Sequence, residues 1–171
     1  NNDGTYRPVY DLVYAVKEAK VGEEDLKASL KRVIAGMKVI VKKKNNGIFS
    51  SNITNMQVRI GNIANQINFY TAEASDMTKT IKFDLKRSED GTEMSNATVM
   101  VFPSPPLELL ITLKDGSVHK LSRNLNSTLS ANTRLTLNIV IGDILSGGST
   151  GDFTIENWNE VSETIEFPMV D

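Results

Sequence analysis

The stretch SANTRLTLNIVIGDI, residues 130 to 144, decides the fold class. In an extended chain Leu135, Leu137, Ile139 and Ile141 point one way, and Arg134, Thr136, Asn138 and Val140 point the other. That period of two marks a strand with one buried face. Nothing in it can perform chemistry, so its role is to build a sheet.

Other segments repeat the pattern. MQVRIGN sets Met56, Val58 and Ile60 against Gln57 and Arg59, and TIKFDLK sets Ile81, Phe83 and Leu85 against Lys82, Asp84 and Lys86. ATVMVF is rich in β-branched residues and stops at Pro103, and LELLITL places Leu107, Leu109, Ile111 and Leu113 on one face. DFTIENW and ETIEF are shorter versions near the C-terminal end. Asn46-Gly47, Asp90-Gly91 and Asp115-Gly116 are dipeptides that favour positive φ in tight hairpin turns. PSPP, residues 103 to 106, reads as a loop where the chain crosses between sheets.

The run EEDLKASLKRVIAGMKVIVKKK fits two periods. Leu26, Leu30, Val33, Ile34 and Met37 have helical spacing; Val33, Ala35, Met37, Val39 and Val41 have strand spacing. Gly36 costs a helix about 1 kcal/mol relative to Ala, and KVIVKKK is β-rich, so a long strand from Ala28 to Lys43 is expected, with a helical turn admitted around Glu23 to Lys27. Many short strands without βαβ alternation predict an all-β antiparallel two-sheet sandwich of at least seven strands. Ala35, Met37, Val39, Val58, Ile60, Phe83, Leu85, Val99, Val101, Leu109, Ile111, Leu137 and Ile139 are the expected core.

Composition narrows the function. The 171 residues suit one domain. Net charge is −2, from 19 basic and 21 acidic residues well mixed, so no basic field exists to hold a nucleic acid. No apolar run approaches the ~18 residues of a membrane helix. Cysteine is absent, which removes disulfides, zinc–thiolate sites and a cysteine nucleophile.

His119 is the only histidine, so a serine triad or a histidine-rich metal site is excluded or severely limited. Following Asp115-Gly116, it is expected at an exposed strand position. Glu89, Asp90 and Glu93 in SEDGTE lack the ligand spacing of an EF-hand and read as a solvated turn. GGSTGD, residues 147 to 152, is no P-loop, because no Gly-Lys-Ser/Thr follows. Asn52, Asn96 and Asn126 each open an Asn-X-Ser/Thr triplet, a number expected by chance in an asparagine-rich chain. Trp158, the only tryptophan, and Tyr70 are the candidate ligand-contact aromatics, with core-rim coverage as the plainer role for Trp158. No catalytic, cofactor-binding or metal residue is assigned, and no enzymatic activity is expected.

Taken in order, YDLVYA (10–15), LKASLKRVIAGMKVIV (26–41), MQVRIGNIANQINFYTAEAS (56–75), ATVMVFPSPPLELLITL (97–113), LSANTRLTLNIVIGD and FTIENWN resemble the fimbrillin-like proteins, subunits of type V pili in Bacteroides-type bacteria. In that family an Asp-Leu-Leu-Tyr-Ala-like motif opens the second half, and an Ile-X-X-Trp closes it. The resemblance implies a precursor of two β-sandwich domains with Greek-key, transthyretin-like topology, exported as a lipoprotein to the outer membrane or fimbrium. Residues 1–171 would form one sandwich, the C-terminal domain, with 159–171 a terminal strand or tail. It implies a structural or adhesive fimbrial subunit whose partners are other subunits, joined by donor-strand addition, with host glycan or protein as a further ligand. The alternative is a surface module that binds carbohydrate or a host ligand. In the tail, Ile165, Phe167 and Met169 alternate with Glu166 and Pro168. They form either the last strand of the domain or a strand donated to another subunit.

Overall fold

A computed structural model describes residues 2–22, 27–104, 108–116, 118–144 and 153–164. Among them the strands, in chain order, are β1 (Val13–Tyr14), β2 (Lys31–Arg32), β3 (Ala35–Lys43), β4 (Asn55–Ile63), β5 (Gln66–Ile67), β6 (Ala74–Ser75) and β7 (Lys79–Asp84). Then follow β8 (Lys86–Arg87), β9 (Glu93–Ser95), β10 (Val99–Val101), β11 (Glu108–Lys114), β12 (Val118–Asn124), β13 (Thr133–Ile144) and β14 (Phe153–Thr164). The only helical element among the described residues is a 3-10 turn at Lys44–Asn46.

Two sheets face one another. One runs β12-β11-β4-β7; the other runs β14-β13-β3-β9-β8, with β10 also on β3. Leu135, Leu137, Ile139 and Ile141 all point into the interface, as the period of two requires. They meet Met37, Val39 and Val41 of β3 and, from the opposite sheet, Met56, Val58, Ile60, Leu109, Ile111 and Leu113, in one continuous core. Each such side chain contributes about 1.5–3 kcal/mol by leaving water. Of the thirteen expected core residues, Phe83 and Val99 are half-buried and packed against the cluster, and the others are buried.

The pairings are antiparallel except at the centre, where β3 and β13 run parallel, from Arg134 opposite Gly36 to Ile141 opposite Lys43. The two halves of the chain therefore interlock. β10 and β11 lie in different sheets, so the PSPP segment does span a crossover; residues 105–107 lie outside the described residues.

Three local expectations need correction. The strand expected from Ala28 begins at Lys31 and breaks after Arg32. Val33 and Ile34, both buried, lie between β2 and β3, where the chain passes from the β1–β2 ribbon into the main sheet. The helical turn admitted at 23 to 27 falls almost wholly on residues 23–26, outside the described residues. Asn46-Gly47 is not a hairpin: it links β3 to β4 in the other sheet, and the positive φ values fall on Asn45 (58°) and Asn46 (53°), while Gly47 is extended. Asparagine tolerates the left-handed region well enough to take glycine's place.

His119 is the third correction. It is buried on the core side of β12, two residues before buried Leu121, and its Nε2 lies 2.9 Å from Asp115 Oδ1. The strand period, not the nearby turn, sets which way it points. Asp90-Gly91 and Asp115-Gly116 do join hairpins, β8–β9 and β11–β12, with Gly91 at φ 72° and Gly116 at φ 99°.

Asn96 sits where β9 gives way to β10. Both short strands pair with the same side of β3, β9 with Ile40–Lys42 and β10 with Ala35–Met37. Between them the Asn96 side chain substitutes for backbone. Its Oδ1 accepts from Val39 N–H at 2.7 Å, and its Nδ2 donates to the carbonyls of Met37 at 3.2 Å and Ala97 at 2.6 Å. A carboxamide carries the donor and acceptor of a peptide group, so it bridges the break without orphaning β3.

Candidate functional site

A sandwich has two kinds of surface to offer a partner: sheet edges and loop clusters. The first question is which edges are covered. On one side the N-terminal segment straps both sheets. Tyr6 N–H donates to Thr80 O (2.8 Å) and Tyr6 O accepts from Lys82 N–H (3.3 Å), against the edge of β7. Three residues on, Val9 N–H donates to Met100 O (2.9 Å) on β10 of the other sheet. Asp3 anchors the strap by accepting from Lys82 Nζ at 2.5 Å and from Arg59 at 3.3 Å. The Lys82 ammonium, with the Thr5 hydroxyl, holds the Asp3 carboxyl well below the usual range. Lys79 Nζ lies 4.8 Å from the centre of the Tyr6 ring, a cation–π contact.

The opposite side carries β12 and β14. There the Glu160 carboxylate on β14 accepts from the backbone N–H of Asn126 (3.1 Å) and Ser127 (2.7 Å), tying the loop after β12 to the edge strand. β14 pairs with β13 from Thr164 opposite Thr133 to Phe153 opposite Ile144. Among the described strands it has no partner on its outer side. Twelve residues is long for an edge strand with no outer partner among the described strands.

The second surface lies at YDLVYA. Asp11, Leu12 and Tyr14 of the motif each have a structural partner. Asp11 takes a two-point hydrogen bond from Arg32 (2.9 and 3.0 Å), and Arg32 also reaches Asn132 (3.1 Å) ahead of β13. The Arg32 guanidinium lowers the Asp11 pKa. Leu12 O accepts from Val33 N–H, and the Tyr14 hydroxyl donates to Tyr70 O (2.9 Å). Asn68 Oδ1 caps the β5–β6 hairpin by accepting from Tyr70 N–H (2.8 Å) and Thr71 N–H (3.3 Å). Between β1 and this hairpin lies an open cleft of about 240 Å³, lined mainly by Leu12, Tyr14, Val33, Ile67 and Phe69. Phe69 and Tyr70 stand exposed on the hairpin, at 68% and 89%.

The residues singled out from sequence are distributed unevenly over these surfaces. Tyr70 is at the cleft. Trp158 lies in β14 with its backbone opposite Ile139, on a different sheet element, so adjacent strands do not join the two into one platform. Ile165, Phe167 and Met169 lie outside the described residues, as does GGSTGD. Residues 159–164, the first part of the expected tail, continue β14. Asp90 accepts from Ser88 Oγ (2.6 Å), Thr92 N–H (3.1 Å) and Thr92 Oγ1 (2.9 Å), which lowers its pKa to about 2. Its oxygens close a solvated turn, while Glu93 lies 3.8 Å from Lys42. Among the described residues no three acidic, histidine or cysteine side chains converge as metal ligands. No helix among them is long and apolar enough to cross a membrane. Sequence reasoning missed the strap and Asn96; the alternation around Asn96 carried no sign that its side chain would pair with a strand remote in sequence.

Known structures share the fold. A candidate cell adhesion protein from Bacteroides ovatus superposes with TM-score 0.50 at 15% identity, over 85% of this chain and 49% of that one. Another from Bacteroides uniformis gives TM-score 0.53 at 14% identity, over 80% and 52%. A candidate adhesin from Bacteroides ovatus gives TM-score 0.53 at 12% identity, over 71% and 50%. The chain thus spans about half the length of the structures it matches. No curated protein matches the sequence. Residues 1–164 match the family of fimbrillin-A associated anchor proteins Mfa1 and Mfa2, and the chain belongs to that family.

Proposed function

We propose that this chain is the C-terminal sandwich domain of a two-domain structural or adhesive subunit of a cell-surface fimbria, and that it joins other subunits by β-strand addition. The observation that carries the reading is the asymmetry of the edges. The β7 and β10 edges are strapped by residues 3–9, whereas β14, twelve residues long, has no partner on its outer side among the described strands. Backbone hydrogen bonds along such an edge supply affinity, and alternating side chains supply register. Neither step needs a catalyst, a metal or a cofactor. Family membership supports the fimbrial setting, a surface location and partners among other subunits.

A glycan-binding module is supported less well. Tyr70 offers an aromatic face, but in the cleft beside it the Asn68 oxygen is already engaged by two backbone N–H groups. Sugar recognition needs converging polar groups.

Val161→Lys tests the edge. Val161 is 44% exposed, so the change leaves the core intact while placing a charge on the strand. The expected result is a monomer of unchanged melting temperature that no longer enters sheared surface fimbriae. Normal incorporation would overturn the edge assignment. Absence of the wild-type protein from fimbriae would overturn the subunit reading itself.

A further inference from the structure

The cleft between β1 and the β5–β6 hairpin is a prepared surface rather than a loose tip. The Tyr14 hydroxyl holds Tyr70 O, Asn68 caps the turn, and Asp11 with Arg32 and Asn132 anchors the YDLVYA segment to the start of β13. On this fixed base the chain displays Phe69, Tyr70 and Val13, exposed at 68%, 89% and 47%, around an open hollow of about 240 Å³. Aromatic side chains on a rigid support lose little conformational freedom when covered, which makes them efficient contact residues. Left bare, such a cluster is a liability in water.

We infer that this cleft docks the other domain of the same polypeptide, which inserts an apolar side chain between β1 and the hairpin and covers Phe69 and Tyr70. The inference rests on the two-domain reading above. Its occupant is argued from length: this chain covers about half of each solved structure that shares its fold, which makes a unit of similar size the occupant on the two-domain reading. Contacts between domains of one chain commonly bury about 600–1,500 Å². A cleft rimmed by two large aromatics supplies the apolar centre of such an area. The strapped side is already engaged by residues 3–9, and the β14 edge offers backbone groups rather than an apolar hollow.

These 171 residues contain no cysteine, so a thiol introduced among them is their only labelling site. A single Tyr70→Cys change is introduced into the 171-residue chain and, separately, into the full-length natural polypeptide, with Val21→Cys, at a fully exposed position, as reference. Maleimide labelling of the Tyr70→Cys thiol should be about tenfold slower in the full-length protein, because the rate follows the undocked fraction, while the Val21→Cys thiol is labelled equally fast in both. A second substitution, Phe69→Ser, should restore the fast rate. Equal rates at position 70, in a polypeptide whose mass and second unfolding transition show the extra domain, would overturn the docking and leave the two-domain reading standing. A full-length protein with no second domain would overturn both. Protection that grows with protein concentration would assign the cleft to a second copy, and protection that appears only on adding glycans would assign it to a sugar; either overturns the proposal.

Discussion

Replacing Asn96 with alanine removes a buried side chain that bridges a break beside β3, and should cost this protein more than most surface changes. The side chain holds Val39 N–H and Met37 C=O, both on strand residues with no exposed surface. Deleting it orphans the buried Val39 N–H and removes a hydrogen bond from the buried Met37 carbonyl. Each such group costs about 1–3 kcal/mol, and water entering the gap can recover part of that. The expected loss is about 2–4 kcal/mol, equivalent to about 5–15 °C in Tm for a chain of this size. Urea unfolding should show a lower midpoint with an unchanged slope. Asn96→Asp sharpens the test. It keeps the acceptor for Val39 but turns a carboxylate toward the Met37 and Ala97 carbonyls, so its folded pKa must rise above the unfolded ~3.9. Below that unfolded value the acid is neutral and its O–H can donate, and the penalty is small. The penalty accrues as pH rises toward the folded pKa, so the Asp variant should be less stable at pH 7 than at pH 4. An alanine variant within about 0.5 kcal/mol of wild type, or an Asp variant indifferent to pH, would refute the bridging role.

Other perturbations test separate contacts. His119→Ala should preserve the fold and assembly but lower stability by about 1–3 kcal/mol, because it opens a cavity under β12; chemical denaturation measures it. Arg87 donates to the carbonyls of Phe49 (2.7 Å), Ser50 (2.9 Å) and Ile53 (3.3 Å), so Arg87→Lys, a single ammonium for three acceptors, should speed proteolysis of residues 48–53 with little change in overall charge. Asp3, Asp11 and Asp90 have folded pKa values below their unfolded value of 3.8, so their stabilisation is present above pH 3.8 and lost as pH falls through the folded values. For Asp90 that window runs from 3.8 to about 2, and Asp90→Asn should flatten part of the fall in Tm over it, an effect that salt diminishes.

The strands that were legible in the sequence share one property: their burial is decided within the strand. RLTLNIVI, TIKFDL and MQVRI expose one face and bury the other, and alternation alone reports that. Partners remote in the chain leave no such trace. The parallel alignment of β3 with β13 joins residues about a hundred positions apart, and neither segment encodes its direction relative to the other. Asn96 and the strap at Tyr6 and Val9 were invisible for the same reason. His119 was legible in principle, because Leu121 two residues on fixes the inward face; the preceding turn drew attention away from that period. The site followed the same division. YDLVYA marked a position in the family's order of motifs, while the partners that make it a rigid base, Arg32, Asn132 and Tyr70, come from three other segments.

The central claim is that subunits join by adding a strand to the open edge of β14. Hydrogen exchange of residues 153–164, compared between the monomer and intact fimbriae, tests it most directly. In the monomer the amides bonded to β13 should exchange slowly and the alternate, outward-facing amides quickly. In fimbriae the outward set should become protected as well, while amides on the strapped β7 edge stay as they were. An outward set that exchanges at the same fast rate in fimbriae and monomer would contradict strand addition at β14.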